Sequence, residues 1–425
     1  MTTPVRPTKH KGAGGKTLAL LSALYFVEGL PWGLQSQALP IYLRTQHETL
    51  TAIGLLNALS LPWMTKALWA PLVDRYGSAK FGRRKTWIVP LQALLVLTFL
   101  IGARFTGRAD MKALLVSVFV MNLLSATMDI AVDALAVDVL RERELGTGNI
   151  TRVVGYKAGS LVSGGLLVWA TKSIGWPGLF VGMGAITFVV LLVTLVTPEP
   201  RGPDEEDATA GPKKGPSVSA ILAMLRETFR IPGTVAFFAF VATYKAGEQL
   251  VDSMFKPFLI DAGFQASDVG LWVSTFGMVA SLSGSFLGGI LASRWVLLRA
   301  VTWTAILRLV PLFAVIVLTL GRPTPLGVIM TTVAEHFFGG LLTTATFALM
   351  MARTDRRMGA THYAIIATVE MLGKAPVPMI AGPIAEKFGY TAVFTTGAVI
   401  SAVLLTLLIP LRKLGGAMPL QKPTD

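Results

Sequence analysis

Apolar residues recur along this chain in runs long enough to cross a bilayer, about 20 residues each. They fall at roughly 17–43, 50–75, 86–105, 111–140, 150–171, 176–197, 232–260, 267–293, 300–320, 324–352, 359–386 and 389–411. The pattern predicts twelve transmembrane helices and an all-α polytopic membrane protein. Between the sixth and seventh runs lies Pro198 to Pro216, rich in Pro, Gly, Asp and Glu, then Ser217 to Arg230, whose amphipathic pattern suits a helix lying on a membrane surface. The predicted plan is a tail over 1–16, a six-helix bundle over 17–197, a linker with an amphipathic helix over 198–231, a second six-helix bundle over 232–411 and a tail over 412–425.

Composition agrees with that plan. The chain is 53% hydrophobic and 15% charged, against about 25% charged in soluble domains. Cysteine is absent, which excludes disulfides, thiolate chemistry and Cys-based metal sites. The net charge of +14 would point to nucleic acid in a soluble protein, whereas in a membrane protein it reports topology. About 25 of the 38 Lys and Arg fall in the segments this scheme makes cytoplasmic, so both termini are expected inside the cell and no nucleic-acid partner is needed. The first apolar run is too long for the core of a signal peptide and follows Arg6, Lys9, Lys11 and Lys16, which marks it as a first span. Gly12 to Thr17 resembles the end of a phosphate loop, but His10 stands where the first Gly is needed and no strand precedes it, so no nucleotide cofactor is expected.

The two halves are related to each other. Leu39-Pro40-Ile-Tyr-Leu43 aligns with Phe255-Lys256-Pro257-Phe-Leu259-Ile260, and Ala52-Ile-Gly54-Leu with Asp268-Val-Gly270-Leu, at an offset near 216 or 217. A shift of about 213 sets the fifth span over the eleventh, with Gly146-Thr-Gly-Asn149 over Gly359-Ala-Thr-His362. Two six-helix repeats joined by a cytoplasmic linker are the plan of the major facilitator transporters, in which substrates bind near the midplane between repeats.

Ala70-Pro-Leu-Val-Asp74-Arg75-Tyr-Gly77, followed by Gly82-Arg83-Arg84-Lys85, resembles the major facilitator signature loop between the second and third helices, with extra residues before Gly82. That resemblance implies a gating role for Asp74, Arg75, Gly82, Arg83 and Arg84, since an acid at a helix end can latch neighbouring helices in one conformer and release them in another. The same residues also serve as a positive-inside anchor. Tyr25-Phe-Val-Glu28-Gly-Leu-Pro31-Trp-Gly33, Trp69 to Asp74, Asp129-Ile-Ala-Val-Asp133-Ala-Leu-Ala, Gly155-Tyr-Lys157-Ala-Gly159 and Tyr244-Lys245-Ala-Gly247-Glu248 together resemble the AmpG muropeptide permease and acetyl-coenzyme A transporter branch. The chain departs from it in stopping soon after Leu411 and in carrying Glu248 where Asp is expected. Membership implies movement of an anionic sugar-peptide or, alternatively, transport or exchange of a coenzyme A ester, driven by protons across a bacterial inner membrane.

The residues themselves point to a wet interior. An ionisable group at the centre of a span costs at least ~2.5 kcal/mol, so such groups face a cavity or one another. The spans hold Glu28, Lys66, Asp129, Asp133, Lys157, Lys245, Glu248, Asp252, Lys256, Arg308, Glu335, Glu370 and Lys374. Asp129 and Asp133, four apart, share a helix face, whereas Asp138 falls about 140° round and near the helix end. Two like charges on one turn make a proton-coupling pair, with Lys157 the expected counter-charge; Glu28, Glu248 and Glu335 are further proton candidates, the last beside His336. Lys157, Lys245 and Lys374, with Glu370, Asp252 and the ring of Trp32, are the candidate substrate contacts. The repeat sets Glu28 over Lys245 and Lys157 over Glu370, which suggests pairs facing each other across a cavity; the plainer reading is that Lys245 pairs with Glu248, and Lys374 with Glu370, within one helix.

The expected function is alternating access by a monomer for a small anionic solute, without cofactor or metal. A lipid flippase or a membrane sensor shares these features. An enzyme does not fit, because four scattered His and no Cys offer neither a nucleophile–base pair nor a metal cage. The breaks expected at Gly29-Leu-Pro31-Trp-Gly33, at Pro376-Val-Pro378 and at Gly382-Pro383 fit such movement, since interrupted helices are tolerated where they line protein or water.

Overall fold

A computed structural model describes residues 15–78, 81–107, 110–139, 145–200, 226–230, 232–353 and 359–414. Residues 1–14 and 415–425 of the expected tails, and 201–225 and 231 of the expected linker, lie outside the described residues. Nine helices among those described are long and apolar enough to cross a membrane. In chain order the spans are α1 (Gly15–Thr45), α2 (Leu50–Thr65, continued by Ala70–Arg75), α3 (Lys85–Phe105) and α4 (Met111–Val139). The long run Thr151–Val196 supplies α5 and α6, with α5 starting at Leu145; at Gly175 φ is 67°, a conformation open to glycine, and Pro177 starts α6 afresh. Then follow α7 (Thr234–Thr243 and Ala246–Asp261), α8 (Ala266–Arg294), α9 (Leu297–Thr319), α10 (Pro325–Ala352), α11 (Gly359–Lys374 and Val377–Phe388) and α12 (Tyr390–Leu411). With α2 and α7 assembled from shorter pieces and the long run divided at Gly175, these are the twelve spans that the hydrophobic pattern predicts.

Local chemistry sets several ends. Thr49 accepts a hydrogen bond from the Ala52 amide to start α2, and Thr324 accepts one from Gly327 to start α10, where Pro325 occupies the first turn. The interruption expected at Pro31 is milder than a break. Helix continues through Pro31 and the slack is taken up in a π-helical turn over Leu34–Ala38. The break expected at Pro376 is present, between Lys374 and Val377, whereas Pro383 stays inside its helix.

The chain forms two compact units. One contains Met1–Ser36 and Leu59–Lys213, the other Gln37–Ala58 and Lys214–Asp425. In the first, α1 packs along α5, and α3 along α4 and α6. The α1–α5 approach needs glycine on both sides: a Cβ on Gly159 would strike the Phe26 carbonyl, and one on Gly29 the Tyr156 carbonyl. In the second unit α8 packs along α10 and α7 along α12, and Gly373 of α11 meets the Ala242 carbonyl of α7 as Gly159 meets α1.

Apart from the repeat, Gln37–Ala58 belongs by packing to the second unit. Arg44 holds Asp261 with two bonds of 2.5 Å, and Tyr390 donates to the same carboxylate at 2.6 Å. Thr51 donates to Glu386, and Asn57 to the Ala375 carbonyl. Hydrophobic residues such as Phe188, Phe286, Phe313 and Val317 stand exposed on the spans, where a bilayer would cover them.

Candidate functional site

Each unit carries its own buried network of charge. In the first, the acids on α4 collect two bases from different helices. Lys66, in the 3-10 turn Lys66–Leu68 of α2, pairs with Asp129, and Arg152 of α5 reaches Asp129 at 3.3 Å and Asp133 at 3.2 Å. Tyr25 of α1 donates to Asp133 at 3.0 Å, with the Arg152 guanidinium 5.7 Å from its ring centre. Asp129 is almost wholly buried, so a charge there depends on these partners.

Glu28 stands apart in this network. It is 0% exposed; no described donor bonds to its carboxylate oxygens, and the Asp129 carboxyl lies within hydrogen-bonding reach of it. Asp129, Asp133 and Arg152 all lie within its electrostatic reach. The expected counter-charge, Lys157, is half-buried on α5. The ion pairs described for the two aspartates run instead to Arg152 and Lys66. Arg152 lies five residues before Lys157, about 140° round the helix. It stands at the start of α5, outside the set of span charges that the sequence picks out, so pattern alone gives no reason to place it with the acids. Asp138 pairs with Arg84 at 2.8 Å and is half exposed, as its displacement round α4 suggested.

The second unit carries a denser cluster. Arg308 of α9, 2% exposed, donates to Glu248 of α7 at 3.4 Å and to both the backbone carbonyl and the carboxylate of Glu335 on α10. Lys245 reaches Glu248 at 3.3 Å, and His336 Nδ1 lies 2.6 Å from Glu335. Asp252 and the buried Lys256 follow Glu248 on α7. Carboxylate oxygens of Glu248, Asp252 and Glu335 lie within 4.8 Å of one another, a spacing that could hold a cation. Here the guanidinium of Arg308 serves that role, bonded to two of the three. Arg308 stands in the sequence among the span charges, but nothing in the pattern marked it as the hub.

Glu370 and Lys374 of α11 form a separate pair at 2.8 Å, to which the Tyr244 hydroxyl donates at 3.4 Å. Lys245 and Glu370 thus have described ion pairs within their own helices, the plainer of the two arrangements considered from sequence. Trp32 is half-buried, with its ring centroid 6.3 Å from that of Tyr156.

The signature loop is knitted into the first unit. Glu199, just past α6, accepts the backbone amides of Arg84 at 3.1 Å and Lys85 at 2.8 Å, capping the start of α3, where no residue of the chain's own cap position does so. Gly82 takes φ of 93°, the 5% exposed Arg84 reaches Asp138, and Lys85 Nζ donates to the Thr197 carbonyl at 2.8 Å. Arg83 is exposed. The side chains of Asp74 and Arg75 lie outside the described residues.

Known proteins match this arrangement over nearly its whole length. The profile of the Major Facilitator Superfamily matches residues 21–378. The anhydromuropeptide permease of Escherichia coli K12 is 31% identical over 393 residues, 92% of this chain and 79% of that protein. A protein of Rickettsia felis named putative transporter AmpG 4 is 24% identical over 92% of this chain and 95% of its own. Among solved structures, a bacterial homologue of the human lysosomal transporter Spinster, inward-facing and occupied, superposes with a TM-score of 0.69 at 16% identity, covering 96% of this chain and 97% of that one. Twelve spans in two repeats, buried charge in both units and these similarities together place the chain: it belongs to the Major Facilitator Superfamily, as an AmpG-like transporter of the membrane.

Proposed function

We propose that the chain carries an anionic sugar-peptide of the anhydromuropeptide class across a bacterial inner membrane by alternating access, coupled to protons, with both termini in the cytoplasm. The observation that carries the coupling is Glu28, a wholly buried carboxyl that no described donor satisfies and that lies within hydrogen-bonding reach of Asp129. An anion in that position is far more costly than a neutral acid, which can donate its proton in a hydrogen bond to Asp129. Proton movement between Glu28 and the two aspartates changes how firmly Lys66 and Arg152 are held, which gives the two conformers different proton affinities, as coupling requires. The substrate class rests on the 31% identity to the anhydromuropeptide permease and on Lys245, Lys374 and Lys157, which are the cations offered to the solute's carboxylates. Lys374 is 31% exposed and Lys245 17%, so a ligand carboxylate can compete for each without unfolding its helix.

The test is uptake of labelled anhydromuropeptide into proteoliposomes with a pH gradient imposed in each direction, against acetyl-coenzyme A as the competing substrate. The expected result is muropeptide uptake that follows the gradient in the wild type and is indifferent to it in Glu28→Gln. Uptake of acetyl-coenzyme A alone would overturn the substrate class. Wild-type uptake that ignores the gradient would overturn the coupling.

A further inference from the structure

The first unit holds an arrangement that the charge network does not use. Trp32 of α1, Trp63 of α2 and Tyr156 of α5 bring three aromatic rings together: Trp32 and Tyr156 lie 6.3 Å apart between centroids at 42°, and Trp63 and Tyr156 6.5 Å apart at 80°. All three are only partly buried. Beside them is a pair of buried amides. The Trp63 indole N–H donates to Asn122 Oδ1 at 3.1 Å, and Asn122 Nδ2 donates to Gln35 Oε1 at 2.5 Å, with Asn122 0% and Gln35 4% exposed.

Depth separates this cluster from ordinary interfacial tryptophan. Membrane Trp belongs mostly to the two headgroup levels. Asn122, which orients the Trp63 ring, is three residues from the middle of α4 (Met111–Val139), about 4.5 Å along its axis. Gln35 falls in the π-helical turn of α1, a local widening of the kind that often accompanies functional sites.

We infer that Trp63, Tyr156 and Trp32, with the amides of Gln35 and Asn122, form the subsite for the sugar rings of the solute, and that Lys66 ties its occupancy to Asp129. The inference rests on the sugar-peptide reading above. A pyranose presents a C–H face that packs on an aromatic ring, and hydroxyl and acetamido groups that need both donors and acceptors; an amide pair supplies both. A site of apolar and aromatic lining with a few placed polar groups is the usual form of a small-molecule site. Lys66 has its ammonium 5.7 Å from the Trp63 ring centre and is also ion-paired with Asp129. A sugar stacked on Trp63 competes with Lys66 for that ring face, so seating the substrate changes the surroundings of the ammonium that is paired with Asp129.

The experiment is competition in proteoliposomes carrying labelled anhydromuropeptide, with three unlabelled probes: the peptide-free disaccharide N-acetylglucosaminyl-anhydro-N-acetylmuramic acid, the sugar-free stem peptide, and adenosine monophosphate. In the wild type the disaccharide is expected to inhibit. In Trp63→Leu, and independently in Tyr156→Leu, its inhibition constant rises about 10-fold while that of the stem peptide stays within about twofold. Should one variant fail to fold, the other, on a different helix, decides. Equal disaccharide inhibition in a folded variant and the wild type overturns the subsite, as does adenosine monophosphate competing through Trp63 in place of the disaccharide. If the wild type carries no muropeptide, the reading of its substrate fails separately. Calorimetric binding of the disaccharide to wild type but not to Trp63→Leu then still supports the subsite, and its absence from both overturns it.

Discussion

Among single residues, Arg308 is the most deeply buried of the described bases. Its guanidinium is buried between Glu248 and Glu335, so Arg308→Met leaves two carboxylates short of a partner. Breaking a buried pair from one side costs roughly 3–5 kcal/mol, more than the pair contributes net, because the remaining charge is stranded. Thermal unfolding in detergent is expected to drop sharply in Arg308→Met and to recover in part in Arg308→Met with Glu335→Gln, where fewer charges are stranded. No recovery in the double variant would show that packing rather than stranded charge sets the loss. Arg152 behaves differently, since its side chain is 43% exposed and water screens it. Arg152→Ala is therefore expected to reduce uptake far more than stability, a split read by transport and thermal unfolding on the same preparation.

Between helices, close backbone approach and capping set the local stability. Gly29→Val drives a side chain into the Tyr156 carbonyl and forces α1 from α5, and overpacking of this kind costs about 1–3 kcal/mol. Gly289→Ala is the control, since its Cβ would meet only a Thr344 methyl at 3.8 Å. The melting temperature is expected to fall in the first and hold in the second. Glu199→Ala removes the acceptor for the Arg84 and Lys85 amides, a capping loss of about 1 kcal/mol. Faster proteolytic cleavage between Gly77 and Lys85, with uptake retained, is the expected readout; a change in uptake with no change in cleavage would argue for a direct part in gating. The signature loop was visible in sequence as Gly82 to Lys85, yet Glu199 was not, because its partners are backbone amides of a helix start more than a hundred positions away.

At the scale of the whole molecule, the absence of cysteine is useful. Any single introduced thiol reports accessibility without background. Arg44, Asp261 and Tyr390 tie the Gln37–Ala58 segment to the second unit. All three partners lie in the second unit, where the tie fixes the end of α1 against α7 and α12. Asp261→Asn is expected to raise maleimide labelling of a thiol placed at Gln46 and to shift transport kinetics; unchanged labelling and unchanged kinetics would mean that the tie is only structural. The two networks differ: in the first unit Glu28 is buried without a described donor, and in the second Arg308 is bonded to two acids.

The hydrophobic pattern is enough for the twelve spans and for the set of charges that bilayer energetics forbids from facing lipid, because each depends only on local run length and the cost of burying charge, and residue matches at an offset near 216 mark the two repeats. It also separated Asp129 and Asp133 from Asp138, since rotation per residue is a local property. Tertiary structure decided the partners. That Arg152 and Lys66 hold the α4 acids, that Arg308 joins Glu248 to Glu335, that Glu28 has no donor, and that Gln37–Ala58 packs with the second unit all depend on which helices meet and at what rotation. A side chain's charge is written in its own residue, whereas its neighbour is set by the packing of segments far apart in the chain.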